Sequence, residues 1–370
     1  MILNAAPINS KSINSNTGNK NKLISIWLAA VCIAIILMIF IGGLTRLTNS
    51  GLSITEWKPI SGIIPPLSNE KWELEFDKYK LSPEYMKINK GMSLDQFKSI
   101  FWIEFIHRAL GRMTGIIFLI PFLYFLIVKF EFSRAEISIY SLSLILLAAQ
   151  GFAGWYMVKS GLISNPHVSH FRLAMHLFLA VTLYAILFWQ FLKNFISLPA
   201  SINLGTKSLA EQKYKKNTAK VKIWLNISLT LLLIQIVLGA FVAGLDAGLV
   251  YNSFPMMGET IIPYEVTNDN ISIKSFSDPV FIQFLHRVFG CLLLVTIFIS
   301  YHAGYKLQNP LTTMALKYLI ITIILQITAG IITLIYVVPI IIALIHQMGA
   351  IILLSVLLWA KYTANHALES

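Results

Sequence analysis

Eight apolar stretches of about 20 residues or more punctuate the chain, near residues 23–43, 100–128, 137–158, 170–192, 222–244, 280–303, 314–334 and 338–360. Each is long enough to cross roughly 30 Å of hydrocarbon as an α-helix rising about 1.5 Å per residue. The pattern predicts an all-α integral membrane protein with eight transmembrane helices. The first stretch is too long for the apolar region of a cleaved signal and is followed by no small-x-small site, so it reads as a retained span. Composition agrees: 56% of residues are hydrophobic and 12% charged, against roughly 25% charged in a water-soluble domain. There is too little charge to cover a soluble surface of this size.

The polar connections differ in sign, and the difference orients the spans. Residues 1–22 carry Lys11, Lys20 and Lys22 and no acid, and 193–222 carry seven lysines against Glu211. Residues 245–279 carry Lys274 against Asp246, Glu259, Glu265, Asp269 and Asp278. Cytoplasmic connections collect Lys and Arg, which predicts both termini in the cytoplasm and the connections 44–99 and 245–279 outside. The long segment 44–99 has eight bases and seven acids, but long loops weigh little in that rule. The net charge of +12 is therefore mostly a topology signal. It forms no stripe on one element, so no nucleic-acid partner is expected; the bilayer is the partner. Residues 1–22 read as a disordered cytoplasmic tail, 193–221 as a cytoplasmic linker and 361–370 as a second tail. Cys32 and Cys291 lie in different spans, which excludes a loop disulfide and suggests two small core residues.

The chain repeats itself. Glu104-Phe105-Ile106-His107-Arg108 with Gly111 on the second span matches Gln283-Phe284-Leu285-His286-Arg287 with Gly290 on the sixth, 179 residues on. Gln150 and Gly154 match Gln326 and Gly330, 176 on, and His176 matches His346, 170 on. Gly42-Gly43-Leu44 similarly resembles Ala243-Gly244-Leu245. Two pseudo-symmetric four-helix bundles follow, residues 23–192 and 222–360. Four is even, so both enter the membrane from one side, as a parallel repeat about an axis near the membrane normal.

Ionisable residues inside spans mark function by default. His107, His176, His286 and His346 sit on the even-numbered spans, each about two helical turns below its outer end. Two histidines at one depth in a four-helix unit can clamp a metal or a haem iron. Each half offers two imidazoles and no thiolate, which suits bis-histidine haem rather than a four-ligand zinc or iron–sulfur site. Arg108, Arg112 and Arg287 lie near the outer surface, where guanidinium groups can bind haem propionates or simply snorkel to the interface. His167 and His170 read as residues of the short connection before the fourth span, and whether either takes part stays open. The halves differ three residues before the first histidine, where Glu104 faces Gln283. A carboxylate can exchange protons and an amide cannot, so the first half is expected to do proton-coupled chemistry and the second to hold a haem. The alternative for Glu104 is an ion pair with Arg108 one turn later.

In order, Gly42-Gly43-Leu44-Thr45-Arg46-Leu47-Thr48, Ser50-Gly51-Leu52-Ser53, Glu56-Trp57-Lys58-Pro59, Pro65-Pro66, Glu104 to Arg108, Gly244-Leu245-Asp246-Ala247-Gly248, Tyr251-Asn252-Ser253-Phe254-Pro255, His286-Arg287 and His346-Gln347 resemble the haem A synthases over residues 23–360. Lacking a cysteine pair in the loops, the chain is similar to the branch found in alphaproteobacteria and mitochondria. The resemblance implies an oxidoreductase that oxidises the C8 methyl of haem O to a formyl group, with oxygen from water, giving haem A for terminal oxidase assembly. It implies iron ligation of a resident haem b by His286 and His346, substrate haem O at His107 and His176, and Glu104 as acid–base residue. It implies a bacterial inner membrane, or alternatively the mitochondrial inner membrane, with haem O synthase and an electron acceptor as partners. Two other classes compete on the residues alone. A di-haem membrane cytochrome b needs no unequal halves, and a transporter should show spans broken near the midplane.

Overall fold

A computed structural model describes residues 10–57, 61–128, 132–162, 168–196, 209–268, 272–307 and 309–366. His167, Lys58, Pro59 and residues 197–208 of the expected linker 193–221 lie outside the described residues. Among those described, the chain forms α1 (Ser10–Leu47), α2 (Asn69–Lys80), α3 (Pro83–Lys87), α4 (Leu94–Ile127), α5 (Arg134–Gly161), α6 (His170–Phe195), α7 (Leu209–Gly244), α8 (Tyr264–Asn268), α9 (Pro279–Tyr305), α10 (Pro310–Ile335) and α11 (Ile340–His366). Eight of them, α1, α4 to α7 and α9 to α11, are long and apolar enough to cross a membrane. Their starts are written in local chemistry. Ser93 with Gln96 and Ser133 with Glu136 form capping boxes, and Asp278 and Asn309 cap helices whose first residue is proline.

Helices overrun the apolar stretches at several ends. α1 starts at Ser10, α7 at Leu209, and α11 runs to His366, so parts of the segments expected as tail and linker are helical. Once a span has nucleated a helix, each further residue adds a hydrogen bond at little cost. The segment 44–99 is also more than a loop. α2 packs Trp72, Phe76 and Tyr79 against Phe97 and Phe101 of α4, and Ser68 and Ser82 cap α2 and α3.

The membrane helices pack as two rings. α1, α4, α5 and α6 follow one another around the first, and α7, α9, α10 and α11 around the second. The rings touch through α6 with α7, α1 with α11, and α6 with α11. Exchanging the rings maps these contacts onto one another, as a two-fold axis requires. One end of the bundle is filled by a shared core that includes Trp27, Phe118, Phe122, Tyr140, Leu187, Leu225, Leu316 and Leu354. The Trp27 indole stacks on Phe122 and donates to the Ile117 carbonyl at 3.1 Å. The other end carries α2, α3 and α8 and holds the histidines.

Candidate functional site

Each ring presents one histidine from its second helix and one from its fourth. In the second ring His286 (α9) faces His346 (α11), with ring centroids 6.4 Å apart and planes at 78°. That spacing accommodates two metal–imidazole bonds of about 2 Å each. The His346 Nδ1–H donates to the Gln326 carbonyl at 3.1 Å, which fixes the tautomer and leaves the Nε2 lone pair for a ligand. The Gln326 side-chain amide donates back to the His346 carbonyl at 2.9 Å. Gln150 makes the same 2.9 Å bond to the His176 carbonyl in the first ring, where His107 (α4) and His176 (α6) lie within electrostatic reach of each other.

The remaining two helices of each ring give glycine where they face these imidazoles. A β-carbon on Gly42 (α1) would stand 3.5 Å from His107 Nε2, and one on Gly154 (α5) 3.4 Å from His176 Cε1. The second ring repeats this, with Gly239 (α7) at 3.3 Å from His286 Cε1 and Gly330 (α10) at 2.7 Å from His346 Cε1. The glycines keep clear the flat space beside each imidazole. Buried polar atoms without partners belong to these histidines and to residues beside or bonded to them: His176 Nδ1 in the first ring, and His286 Nδ1, Gln235 Oε1, Gln283 Oε1, Gln326 Oε1 and Arg287 Nε in the second. Orphaned buried polar groups are rare in proteins and point to a missing partner. Among the described residues no three His, Cys, Asp or Glu side chains converge as a metal site; each ring offers two imidazoles. Paired imidazoles, a slot cleared by glycines and unpaired polar atoms fit a planar haem.

The loops are tied onto this floor in the same way in both halves. Arg108 Nη2 donates to the Ile54 carbonyl at 3.0 Å and Arg287 Nη2 to the Tyr251 carbonyl at 3.1 Å. Ile54 and Tyr251 lie 197 residues apart. So do Gly42 and Gly239, the last residues of α1 and α7 (Leu47 and Gly244), and the left-handed residues Asn49 and Asp246, with φ of 49° and 51°. The true register of the first helices is therefore one turn away from the likeness of Gly42-Gly43-Leu44 to Ala243-Gly244-Leu245. A four-residue slip keeps the same helix face, so a three-residue likeness could not fix it.

At one place the halves part. Glu104 is 2% exposed and accepts four hydrogen bonds: Ser53 Oγ at 2.6 Å, the Ile54 N–H at 2.9 Å, and Arg108 Nη2 and Nε at 2.6 and 3.1 Å. The ion pair with Arg108, weighed as an alternative in the sequence, is present, and Arg108 also donates to the Glu56 carbonyl at 3.3 Å. Gln283 instead donates to the Tyr251 carbonyl at 3.1 Å. The acceptor-only side chain takes a loop N–H; the amide meets a loop C=O. Arg287 is similarly engaged with the Met256 carbonyl at 3.2 Å, while Arg112 extends the basic face of α4 one turn further.

Other expectations change. His170 is the first residue of α6 rather than a loop residue, and a β-carbon on Gly244 would lie 2.6 Å from its own. It is a contact between the rings. Cys291 is exposed on α9, unlike buried Cys32, because that helix turns the position outward. The slot glycines and Gln235, whose amide donates to the His286 carbonyl at 2.9 Å, were missed as site residues; the 197-residue register pairs Gly239 with Gly42 but Gln235 with Met38, and neither pairing names a role.

A family model described as COX15-CtaA, cytochrome oxidase assembly protein, matches residues 25–358. A heme A synthase of Rickettsia felis is 47% identical over 346 residues, covering 93% of this chain and 98% of the relative. The chain belongs to the haem A synthase family. Two more members named heme A synthase are similar over nearly their whole length. That of Rickettsia canadensis is 48% identical over 343 residues, 93% of this chain and 98% of its own, and that of Rickettsia akari 45% over 349, 94% and 99%. The shared region includes both histidine rings of the haem A synthase fold.

Proposed function

We propose that this protein is a haem A synthase that converts haem O to haem A, with the first ring (23–192) taking the substrate and the second (222–360) holding a resident haem b. The observation that carries this reading is the pair of equivalent two-histidine slots with unequal side chains above them, Glu104 in one and Gln283 in the other. A pure electron-transfer protein has no use for that inequality.

In this reading His286 and His346 ligate the haem b iron, which supplies one-electron transfer when bound. His107 and His176 would hold the substrate haem O, beside the space that Gly42 and Gly154 leave open. Arg287, whose buried Nε lacks a partner, and Arg112 offer guanidinium N–H groups to propionates. Arg108 keeps the loop in place. Glu104 is the acid–base residue near the reacting methyl. Four donors occupy its two oxygens, so to take a proton it must release one; the Ser53 hydroxyl, which can turn and accept instead, is the one that gives way most easily. Loop docking through Ile54 and Tyr251 excludes water from above both slots. The basic connections support cytoplasmic termini with the haem sites near the outer face, and the Rickettsia relatives support a bacterial inner membrane. Haem O synthase, as supplier of the substrate, and an electron acceptor are the partners this chemistry requires.

Glu104→Gln copies the second half and should leave haem content intact while abolishing haem A formation. Normal haem A in cells carrying only that variant would sink the acid–base role. Extracted pigment from purified protein tests the whole reading: b-, o- and a-type haems together support it, b alone indicates a cytochrome, and no haem indicates neither.

A further inference from the structure

Oxidation of a methyl group to a formyl group with oxygen from water obeys R–CH3 + H2O → R–CHO + 4 H+ + 4 e−. On the function proposed above, the electrons pass to a one-electron redox acceptor, and the protons must leave a slot roofed by protein. Among the described residues two carboxylates are buried: Glu104, and Glu84 on α3, which is 4% exposed. Glu84 takes part in no ion pair among the described residues. Its Oε2 accepts the Tyr79 hydroxyl at 3.0 Å, and the Tyr79 oxygen accepts Asn89 Nδ2 at 2.7 Å. Tyr79 is fully buried and packs on Phe97, two helical turns before Glu104 on the same face of α4.

The groups facing Glu84 are few. Tyr79 comes from α2 and Tyr85, edge-on to Tyr79, from α3 itself; Asn89 follows α3, and Glu104 acts from α4. Lys78, next to Tyr79, is committed to Glu75 and Glu56 at 2.9 and 3.1 Å. Burial pushes the Glu84 carboxyl up to about 7; the bond from Tyr79 opposes this and the Glu104 charge adds to it. The Tyr79 hydroxyl, also buried, is raised as well and senses Glu104 too. Among the described residues the second half has no counterpart. In its segment 245–279 the described carboxylates Asp246, Glu259, Glu265 and Asp278 are all exposed, and its residue equivalent to Glu104 is Gln283. Among the described residues, a second buried carboxyl occurs only in the half that carries Glu104.

We propose that Glu84 is the outlet for the reaction's protons: a proton released by the Glu104 carboxyl passes to the Glu84 carboxylate, with the Tyr79 hydroxyl as the last link, and from Glu84 to water at the loop end. Only protons move in this step, and each carboxyl returns to its starting state. Glu84 is thus a positioning residue for proton flow and does not touch the substrate.

The test uses the full-length protein in membranes. Glu84→Gln should slow haem A formation at least about tenfold, flatten its pH profile around 7 and raise its solvent deuterium isotope effect, with haem content unchanged. Tyr79→Phe should act in the same direction, and Glu84→Asp should restore most of the rate. A Glu84→Gln protein with wild-type rate and pH profile overturns the proposal. An independent reading needs no variant to fold: infrared titration of the wild type should show a protonated carboxyl band that disappears as pH rises through about 7, and its absence also overturns the proposal. If the wild type forms no haem A, the synthase reading fails instead, while the infrared band still reports on Glu84.

Discussion

Every histidine that faces a slot has a glycine opposite it, and the tightest of these contacts makes the clearest test. A β-carbon at Gly330 would lie 2.7 Å from His346 Cε1 and 3.2 Å from its Nδ1. The imidazole cannot swing away without breaking its bond to the Gln326 carbonyl, so the ring or the helix must shift. Gly151, one turn before Gly154 on α5, has open space where a β-carbon would be. Gly330→Ala should therefore lower haem retention by about tenfold or more, the usual cost of disturbing a metal ligand's support. Gly151→Ala should retain haem fully and gain up to about 1 kcal/mol of helix stability. The haem-to-protein ratio of the two purified variants decides, and equal ratios would remove the glycines from the site. The histidines were legible in the sequence because an ionisable side chain stands out in an apolar run. Gly42 and Gly239 were not legible as slot residues, because a glycine's purpose lies in what the neighbouring helix brings to it.

The eight membrane helices were readable from apolar length alone, since hydrocarbon leaves a backbone few alternatives to the helix. The segment 44–99 was harder. It is nearly balanced in charge, and its helix α2 shows its apolar face only in the spacing of Trp72, Phe76 and Tyr79, a four-then-three step that marks one helix face. What that face meets, Phe97 and Phe101 of α4, is a tertiary fact that no local pattern carries, and so Glu84 could not be seen as buried. Its burial has a measurable consequence for this element. The Glu84 carboxyl is raised from 4.5 to about 7 in the folded protein, so the docked segment binds a proton that the undocked segment releases. The stabilisation is complete below about 4.5 and is lost as pH rises through about 7. Amide hydrogen exchange in α2 and α3 should accordingly show weaker protection at pH 8 than at pH 5, after correction for the intrinsic rate. Glu84→Gln, which cannot ionise, should remove that difference; protection that stays pH-dependent in the variant would assign the effect to another group.

At the scale of the molecule the two rings are held together near the histidines by unequal contacts. Arg46 reaches across to the Ala243 carbonyl at 2.6 Å and to Asp246 at 2.8 Å, but the Asp246 side chain is 59% exposed. A pair so open to solvent contributes about 0–1 kcal/mol. The interior contact is stronger. Gln347, next to His346 on α11, donates its amide to the Ile39 carbonyl of α1 at 2.6 Å. It can do so only because position 43 is glycine: a β-carbon there would overlap the Gln347 amide oxygen. The preceding residue, Gly42, faces His107. One turn of α1 thus touches the first ring's histidine on one side and the neighbour of the second ring's histidine on the other. Gly43→Ala should force Gln347 out of its place and destabilise the protein by about 1–3 kcal/mol, as overpacking does, with a lower Tm and reduced haem in both rings. Gln347→Ala alone leaves the Ile39 carbonyl its helical partner and should cost less. Because the two residues collide directly, their effects should not add, and Gly43→Ala with Gln347→Ala should be more stable than Gly43→Ala alone. Additive losses in that double-mutant cycle would mean that the rings are held by their wider helix contacts and that this junction does not couple the two histidine sites.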